Sequence, residues 1–392
     1  MSLSLAYFGT YDPTYPRNAV MLAGLRQAGV EIHEFNAPLA RQLAAAEMTT
    51  ATGAAALAAD IARAHFKLIR QHRRELLIDV VVVGYPGHLL VPFGKLLASC
   101  RRALLVFDPL VSLVDTFAGD RGLVGRTSPV GAAVAAVDRL AFGLPDLVLA
   151  DTAAQAAFYR NRLGVPERKL AVVPVGALAV TDASVGAEAE DAAVAKTRPA
   201  TVTGTRPAIA SEPLTVFMYG KWSPMHGAET VLAAAEALRD EPFRFVLAGE
   251  GQLSAALRAT IAERELTNVD WLGMLGADDL RAQNLAADIC LGVFGGSAKA
   301  ARVVPNKVVD GLACGRPVVT MDSPAARELL TDGDDTLLVP ALDSVALAAA
   351  LRRLRDHALR ARLATAALRL YRRRLTPAAV ADSLLAALER YA

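Results

Sequence analysis

Cysteine, aromatic residues and excess charge are all scarce in this chain of 392 residues. There are three cysteines, and aromatic side chains make up only 6% of the sequence. Cys100, Cys290 and Cys314 lie far apart and within apolar stretches. We therefore expect neither a disulfide framework nor a cysteine metal site, and predict three reduced core residues. The formal net charge of +2 is too small to indicate a nucleic-acid partner.

Long apolar runs are also missing. The least polar window, Val80 to Gly94, is interrupted by glycine, proline and histidine, and it is shorter than the ~20 apolar residues of a membrane-spanning helix. The N-terminus lacks the basic leader of a signal peptide, so we expect a cytoplasmic protein without a membrane anchor. One basic helical stretch contains Lys67, Arg70, Arg73 and Arg74. It is compatible with peripheral membrane contact, although a solvated helix face explains the same pattern.

Alternating strand and helix patterns are abundant. Hydrophobic residues make up 53% of the chain, and its length is comfortable for two domains of ordinary size. In the first half, short and almost wholly apolar strands such as "DVVVVG" alternate with helical stretches. This alternation is typical of a parallel sheet covered by helices on both faces. Residues 1–175 are therefore predicted to form a Rossmann-like domain.

The second half repeats the same pattern after a change in composition. Residues 176–213 are dense in alanine, threonine, proline and charge, which indicates an interdomain linker. Residues 214–372 then alternate strands and helices again. The predicted fold class is α/β, with two Rossmann-like parallel-sheet domains facing across a cleft, where open sheets of this kind bind ligands.

The segment "KAARVVPNKVVDGLACGRPVVT", residues 299–320, indicates a sugar-nucleotide site. Asp310 is predicted on a short helix whose first turn, around Pro305 and Asn306, offers backbone N–H groups to an anion. Its carboxylate could accept hydrogen bonds from two ribose hydroxyls. By itself, the segment is explained equally well by an amphipathic helix that leads into a buried strand without any ligand.

This segment resembles the nucleotide-binding half of GT-B glycosyltransferases of the family-four type. Those enzymes carry a glutamate, seven residues and a second glutamate before "A-x-G-x-P-V-V". Here the second acidic position is Asp310 and the first falls on Arg302. The resemblance implies a retaining, metal-independent transferase that uses a UDP- or GDP-sugar as donor and needs no other cofactor. It also implies that the last helix, in residues 373–392, returns to the N-terminal domain.

A second segment, "YGKWSPMHG", resembles the family's strand, G-R and K-G motif, in which two bases hold the donor diphosphate. The corresponding residues here are Gly220, Lys221, His226 and Gly227. Lysine keeps the positive charge of the usual arginine but loses its bidentate geometry, and histidine is only partly charged near neutral pH. Lys307 and Arg302 are candidates for restoring the missing positive charge. Alternatively, Lys221 is an ordinary solvated loop lysine.

The resemblance also implies further donor-binding residues. In the C-terminal half they lie in a G-x-G turn, in a loop that reads the base, and in the backbone after Arg302; in the N-terminal half they form a glycine-containing loop over the phosphates. The residues are Gly249, Glu250, Met274, Leu275, Val303, Val304, Gly9 and Thr10.

Three residues are predicted to act near the reacting atoms. Asp108 follows the fourth strand, and a carboxylate at the carboxyl end of a strand is well placed to contact the anomeric centre or the acceptor. Lys221 and Arg302 would stabilise the charge that builds up on the leaving diphosphate. For Arg302 a second interpretation is a structural ion pair in a donor pocket of different design.

The predicted function is therefore transfer of a sugar from a nucleoside diphosphate sugar to an unidentified hydroxyl acceptor. Two alternatives remain open at the level of sequence. One is a sugar-nucleotide epimerase with the same fold, and the other is a nucleotide- or glycan-binding protein without transferase activity. Loss of the first glutamate favours the second of these.

Overall fold

Short apolar runs in the first part of the chain form six parallel strands. The structure, a computed structural model, describes residues 3–37, 59–64, 66–68, 77–125, 127–178 and 212–391. The strands are β1 (Ser4–Gly9), β2 (Glu31–Asn36), β3 (Val80–Val83), β4 (Leu104–Phe107), β5 (Leu147–Ala150) and β6 (Leu170–Val172). Between them lie helices α1 (Pro16–Gln27), α2 (Val91–Arg101), α3 (Pro129–Gly143) and α4 (Ala153–Leu163), with helical turns at His88–Leu90, Asp115–Asp120 and Glu167–Lys169.

The second part of the chain forms another set of six parallel strands. They are β7 (Leu214–Tyr219), β8 (Phe243–Ala248), β9 (Val269–Trp271), β10 (Ile289–Leu291), β11 (Val318–Met321) and β12 (Leu337–Val339). The helices are α5 (Ala228–Ala237), α6 (Ser254–Glu263), α7 (Ala277–Ala286), α8 (Asn306–Ala313), α9 (Pro324–Leu329), α10 (Ser344–Arg353), α11 (His357–Arg374) and α12 (Pro377–Leu388). Helical turns cover Pro224–His226, Ala300–Arg302 and Glu389–Tyr391.

Each set of strands forms its own sheet. The orders are β2-β1-β3-β4-β5-β6 and β12-β11-β10-β7-β8-β9, and all strand pairs are parallel. The strand order reverses between β1 and β3 in the first sheet and between β7 and β10 in the second. Ligands of open α/β sheets bind outside the carboxyl ends of the strands at such reversal points. The predicted α/β class with two Rossmann-like sheets is confirmed.

The described residues divide into two units. One holds residues up to 178 together with 374–391, and the other holds 212–373. Helix α12 packs closely on α1, because a Cβ atom added to Gly24 would lie 1.9 Å from the carbonyl oxygen of Pro377. Most of the predicted linker falls outside the described residues. So do Arg70, Arg73 and Arg74 of the basic stretch.

The central strands of both sheets are buried on both faces. All four residues of β3 are buried valines, and Phe217 and Phe245 in β7 and β8 are 1% and 0% exposed. The prediction of three buried cysteines was wrong for Cys100, which lies exposed in the last turn of α2. Cys290 is buried in β10 and Cys314 is half-buried after α8, and all three thiols are free.

Candidate donor-nucleotide site

Glycines bring two loops together at the strand-order reversal of the second sheet. Gly227 has φ +62°, and a Cβ atom there would lie 2.4 Å from the carbonyl carbon of Phe294. The backbone N–H of Phe294 donates to the carbonyl oxygen of His226 at 3.0 Å, and that of Gly295 donates to Met225 at 3.2 Å. The loops after β7 and β10 are therefore fixed against each other, as a site at this point requires.

The loop after β8 packs closely against the loop after β7. Gly249 follows β8 with φ +115°, and a Cβ atom there would lie 2.0 Å from the carbonyl oxygen of Gly220. The buried indole of Trp222 donates from Nε1 to the carbonyl oxygen of Gly249 at 2.9 Å. No residue with a side chain fits at Gly249 in this conformation, so the predicted G-x-G turn has a structural requirement for glycine.

Two nitrogen atoms converge on Gly220, directly after β7. A Cβ atom built on Gly220 would lie 2.7 Å from Nε2 of His226 and 3.3 Å from Nζ of Lys307. His226 comes from the turn before α5, whereas Lys307 is the second residue of α8. The absence of a side chain at Gly220 leaves room for both, and together they form a small basic group beside the half-buried backbone of Gly220.

The His226 ring is held by the turn that precedes it. Its Nδ1 lies 3.2 Å from the backbone nitrogen of Ser223, 3.1 Å from the Ser223 hydroxyl and 3.2 Å from the Ser223 carbonyl oxygen. These contacts fix the ring against the turn Pro224–His226. They direct Nε2 toward Gly220.

Lys307 is a buried lysine with an unusual pKa. Its side chain is only 5% exposed. Burial disfavours the charged ammonium and lowers the pKa of Lys307 to about 7, although the nearby Asp310 carboxylate acts in the opposite direction. An anion that arrives beside Nζ would compensate for the lost solvation and restore the full charge.

Asp310 lies one turn further along α8 and has a perturbed pKa too. Burial raises the pKa of Asp310 to about 6, opposed by a hydrogen bond from Tyr219 and by the charges of Arg281 and Lys307. The Tyr219 hydroxyl donates to Oδ2 of Asp310. Helix α8 reaches the sheet closely, because a Cβ atom on Gly311 would lie 2.9 Å from Cβ of Cys290.

The remaining residues predicted in this unit differ in how closely they approach that group. Lys221 is exposed, and Arg302 ends the turn Ala300–Arg302, followed by the extended Val303 and the buried Val304. Glu250 accepts from Nη2 of Arg258 at 2.6 Å and from Nε1 of Trp271 at 3.4 Å. Met274 is 61% exposed and Leu275 is half-buried in the loop after β9.

In the first unit, Gly9 is the last residue of β1, which borders the reversal between β1 and β3; Thr10 follows it, and Asp108 follows β4. Gly9 has φ +144°, and the Thr10 hydroxyl donates to the carbonyl oxygen of Pro86 at 3.2 Å. Asp108 is 1% exposed and accepts from Nε of Arg17 at 2.8 Å. Its observed partner is thus a buried guanidinium, and a contact of Asp108 with reacting atoms stays a prediction.

Arg17 is held by the end of β6 as well. Its Nη1 donates to the carbonyl oxygens of Val173 and Pro174 at 3.0 and 2.7 Å. Burial by itself would lower the pKa of Arg17, but the Asp108 carboxylate and its hydrogen bond outweigh burial and raise it. The pair therefore joins α1, β4 and the segment after β6.

Two residues of the donor-site cluster were not predicted from sequence. Tyr219 contacts Asp310, and Arg281 in α7 contributes positive charge near it. The signal for Tyr219 was its position at the carboxyl end of a strand, directly before Gly220. Arg281 has no motif around it.

Within the described ranges no helix has both the length and the apolar character needed to cross a membrane. No group of three potential metal-ligating side chains is found among those residues.

Comparisons with known proteins bear on the second unit and on the fold of the whole chain. Residues 213–357 match the family model of glycosyl transferases group 1. A search of curated protein sequences finds no match to this chain. Similar solved structures include Anabaena Alr3699/HepE in complex with UDP and glucose, with TM-score 0.64, 15% identity and coverage of 99% of this chain and 100% of that one.

Two further structures extend the comparison. Sucrose-phosphate synthase from Thermosynechococcus elongatus has TM-score 0.67 at 16% identity, covering 100% of this chain and 99% of the other. A glycosyltransferase from Rickettsia africae has TM-score 0.57 at 12% identity, covering 99% and 98%. At these identities the likeness establishes the fold, which is that of GT-B glycosyltransferases, while the family model covers the unit that holds Gly220, His226, Lys307 and Asp310. The comparisons therefore establish a match of residues 213–357 to the glycosyl transferases group 1 model, in a chain that has the GT-B fold.

Proposed function

We propose that this protein is a retaining glycosyltransferase that moves a sugar from a UDP- or GDP-sugar to a hydroxyl acceptor. The observation that carries the proposal is the convergence of His226 Nε2 and Lys307 Nζ on Gly220, with Asp310 one helical turn from Lys307. A nucleoside diphosphate offers matching chemistry. Its phosphates are anionic and its ribose has two adjacent hydroxyl donors.

The two nitrogens would hold the diphosphate. Breaking the bond between sugar and diphosphate leaves negative charge on the phosphate oxygens, and preorganised donors aimed at that charge lower the barrier. Lys307 would gain its proton fully as the diphosphate binds, because the anion reverses the effect of burial on its pKa. In this proposal, cationic side chains carry the role that a metal ion has in other transferases, and Lys221 and Arg302 add charge from the surface.

Asp310 would bind the ribose. A carboxylate in its ionised form accepts hydrogen bonds from hydroxyl groups, and its pKa of about 6 keeps most of it ionised at neutral pH. Gly249, Glu250, Met274 and Leu275 would surround the base at the ends of β8 and β9. For Gly9 and Thr10, donation of backbone N–H groups to the donor phosphates stays a prediction from the family resemblance.

Retention of anomeric configuration is part of the same proposal. In front-face transfer, a phosphate oxygen of the leaving group accepts the proton of the acceptor hydroxyl, so the protein has to position the two substrates more than supply a base. His226, Lys307 and Arg302 would perform this positioning on the donor side. The first donor to test is a UDP-sugar, since the structure of Anabaena HepE contains UDP-glucose.

Nucleotide binding is the first test. Thermal unfolding of the full chain is measured with UDP, GDP, TDP and ADP, and saturation at about a hundred times the dissociation constant stabilises the folded state by about 2.7 kcal/mol. We expect one nucleotide to raise the melting temperature clearly above the others. If none does, the transferase proposal is wrong.

Turnover separates a transferase from a binding protein. Slow hydrolysis of the donor without acceptor is followed for wild type, Asp310→Ala and Lys307→Met, with Asp322→Ala as a control at the end of β11. Hydrolysis with retained configuration of the released sugar supports the proposal. Tight nucleotide binding with no hydrolysis of any UDP- or GDP-sugar would instead indicate a binding protein, in line with Arg302 at the position of the first glutamate.

A further inference from the structure

Tyr219 contacts both functional groups of α8. It is the last residue of β7 and directly precedes Gly220. Its hydroxyl donates to Oδ2 of Asp310, and Nζ of Lys307 lies 5.9 Å from the centre of its ring. One side chain thus touches the group proposed for the ribose and faces the ammonium proposed for the diphosphate.

We propose that Tyr219 is a positioning residue of the donor site, which holds Oδ2 of Asp310 so that Oδ1 is presented to a ribose hydroxyl. This inference rests on the proposed function and makes it more specific. In this proposal, Tyr219 in β7, which lies 91 positions earlier in the chain, determines the side-chain orientation of Asp310.

Chain length explains why Asp310 needs such a partner. Aspartate is one methylene shorter than the glutamate found at this position in the resembling family, so its carboxylate reaches less far from the helix. A fixed hydroxyl donor selects one orientation of the short side chain. With Oδ2 held by Tyr219, Oδ1 is the oxygen that the proposal assigns to the ribose hydroxyl.

The tyrosine itself is well fixed. Its ring lies 6.0 Å from that of Phe217, at an interplanar angle of 26°, on the same face of the sheet. The next residue, Gly220, donates its backbone N–H to the carbonyl oxygen of Ala248 at 2.9 Å. A rigid donor is required if Tyr219 is to orient Asp310, since a mobile one would follow the carboxylate.

The charges around Asp310 are set by several elements. Tyr219 belongs to β7, Arg281 to α7 and Lys307 to α8 itself. Other titratable groups that interact electrostatically with Asp310 are Cys290, Cys314 and Tyr371. Among the uncharged neighbours, the Tyr219 hydroxyl is the one that hydrogen-bonds the carboxylate directly. This bond favours the ionised form, so its removal must raise the pKa of Asp310 above about 6.

Tyr219→Phe is the decisive variant, because it removes the hydroxyl and keeps the ring. Binding of UDP-glucose is measured by calorimetry across the pH range from about 5 to about 8. A UDP-sugar is used since free UDP has a terminal phosphate that itself titrates near pH ~6. We expect binding to weaken about tenfold near pH 6, the effect of one hydrogen bond to a charged group, and to weaken less at higher pH.

The pH at which binding begins to decline, called the acid limb below, distinguishes a positioning role of Tyr219 from a general loss of native structure. In wild type, binding should decline as the pH falls through the pKa of Asp310, and in Tyr219→Phe this decline should begin at higher pH. Tyr11→Phe is the matched control, because the Tyr11 hydroxyl donates to the Glu34 carboxylate at 2.8 Å in the first unit. It should leave both the affinity for UDP-glucose and the position of the limb unchanged.

A measurement without ligand completes the test. The Asp310 carboxyl carbon is followed by NMR during pH titration of the unliganded wild type and Tyr219→Phe proteins, and its titration should move to higher pH in the variant. If wild type binds UDP-glucose and neither the limb nor the titration moves, the positioning role is overturned while the proposed function stands. If wild type binds no nucleotide, both fail together.

Discussion

Each unit buries a basic side chain close to a carboxylate, but the two arrangements differ in how completely they are hydrogen-bonded. In the first unit, Arg17 donates to Asp108 and to two carbonyl oxygens, and both side chains are 1% exposed. In the second, Lys307 and Asp310 have pKa values of about 7 and about 6. Burial without compensation is costly for charge. The first pair is compensated within the protein, whereas in the proposed function the second would be compensated by the diphosphate and the ribose hydroxyls.

This contrast gives a criterion for separating structural from functional charges in the same fold. A guanidinium that donates to a carboxylate and to two carbonyl oxygens, as Arg17 does, keeps its charge at every accessible pH. A lysine and an aspartate poised near neutrality can respond to a ligand, and such perturbed groups concentrate at functional sites. The following variants test the contrast, beginning with the largest expected effect.

Removing the guanidinium from the Arg17–Asp108 pair should strongly destabilise the first unit. Arg17→Met leaves the Asp108 carboxylate buried without its cation, and we expect the free energy of unfolding to fall by about 3–5 kcal/mol. Urea denaturation measures this loss. Arg244→Met is the control, because the Arg244–Asp270 pair is exposed and should change stability by less than about 1 kcal/mol. Equal effects of the two variants would contradict the structural role of Arg17.

Removing the carboxylate of Asp310 should instead reduce ligand binding. Asp310→Ala removes the proposed ribose acceptor, and we expect UDP binding to weaken by about 1.5–3 kcal/mol, the range for hydrogen bonds to charged groups. Calorimetry at about pH 7.5, above the pKa of Asp310, gives the affinity. Asp322→Ala, at the end of β11, should bind like wild type. Unchanged affinity in Asp310→Ala would exclude Asp310 from the nucleotide site.

Lys307→Met should raise the stability of the unliganded protein and weaken its binding of UDP. Burial lowers the pKa of Lys307 from 10.5 to about 7, so the unfolded chain binds more protons than the folded protein between these pH values. Wild-type stability therefore rises with pH across that window, and the variant should lose this dependence. At neutral pH we expect Lys307→Met to gain about 0.5–2 kcal/mol without ligand, measured by urea denaturation, and to bind UDP more weakly. A less stable, normally binding variant would contradict both expectations.

The pH dependence of binding should show two limbs for the wild type. Asp310 is ionised above its pKa of about 6, and Lys307 is charged below its pKa of about 7. Affinity for a UDP-sugar should therefore fall on the acid side through Asp310 and on the alkaline side through Lys307, by at most about tenfold per pH unit for each group. Because bound diphosphate raises the pKa of Lys307, the alkaline decline in affinity begins near the pKa of the unliganded protein and continues up to the pKa of the complex. In Lys307→Met the alkaline limb should disappear, and its persistence would assign it to another group.

The smallest effect is expected at the surface. Lys221→Ala removes an exposed charge, and we expect UDP binding to weaken by less than about 1 kcal/mol. The difference from wild type should shrink further as salt is added, since exposed charges are screened. Calorimetry at low and high salt measures it. A salt-independent loss as large as that of Asp310→Ala would place Lys221 inside the diphosphate site.

Much of the fold could be predicted from sequence because local patterns encode it. The runs that became β3, β7 and β8 are almost wholly apolar, and Asp310 was expected on a short helix, where α8 indeed begins at Asn306. Cys100 shows the limit of such patterns. It lies in a helix with several apolar residues, between Ser99 and Arg101, and is exposed in the last turn of α2, because the helical period decides which side faces the core.

The sequence named residues of the candidate site but not their contacts. His226 and Asp310 were named from motif positions and Lys307 from its nearness to them, and the three lie close together in the structure. Lys221, the expected first cation, is exposed, and Lys307 occupies the buried position. Asp108 was expected to face the reaction from the end of β4. Its actual partner, Arg17, lies in α1, and no spacing rule connects a residue of the first helix to the end of the fourth strand.

The sequence by itself determined two alternating α/β halves, the glycines that let loops meet, and the charged residue types at the ends of β7 and at the start of α8. Only the tertiary structure decided which charges are satisfied. Arg17 with Asp108 and Tyr219 with Asp310 are each 91 residues apart. Such pairs form because parallel strands and their crossover helices bring distant residues to one edge of a sheet, and burial there sets whether a charge is structural or available to a ligand.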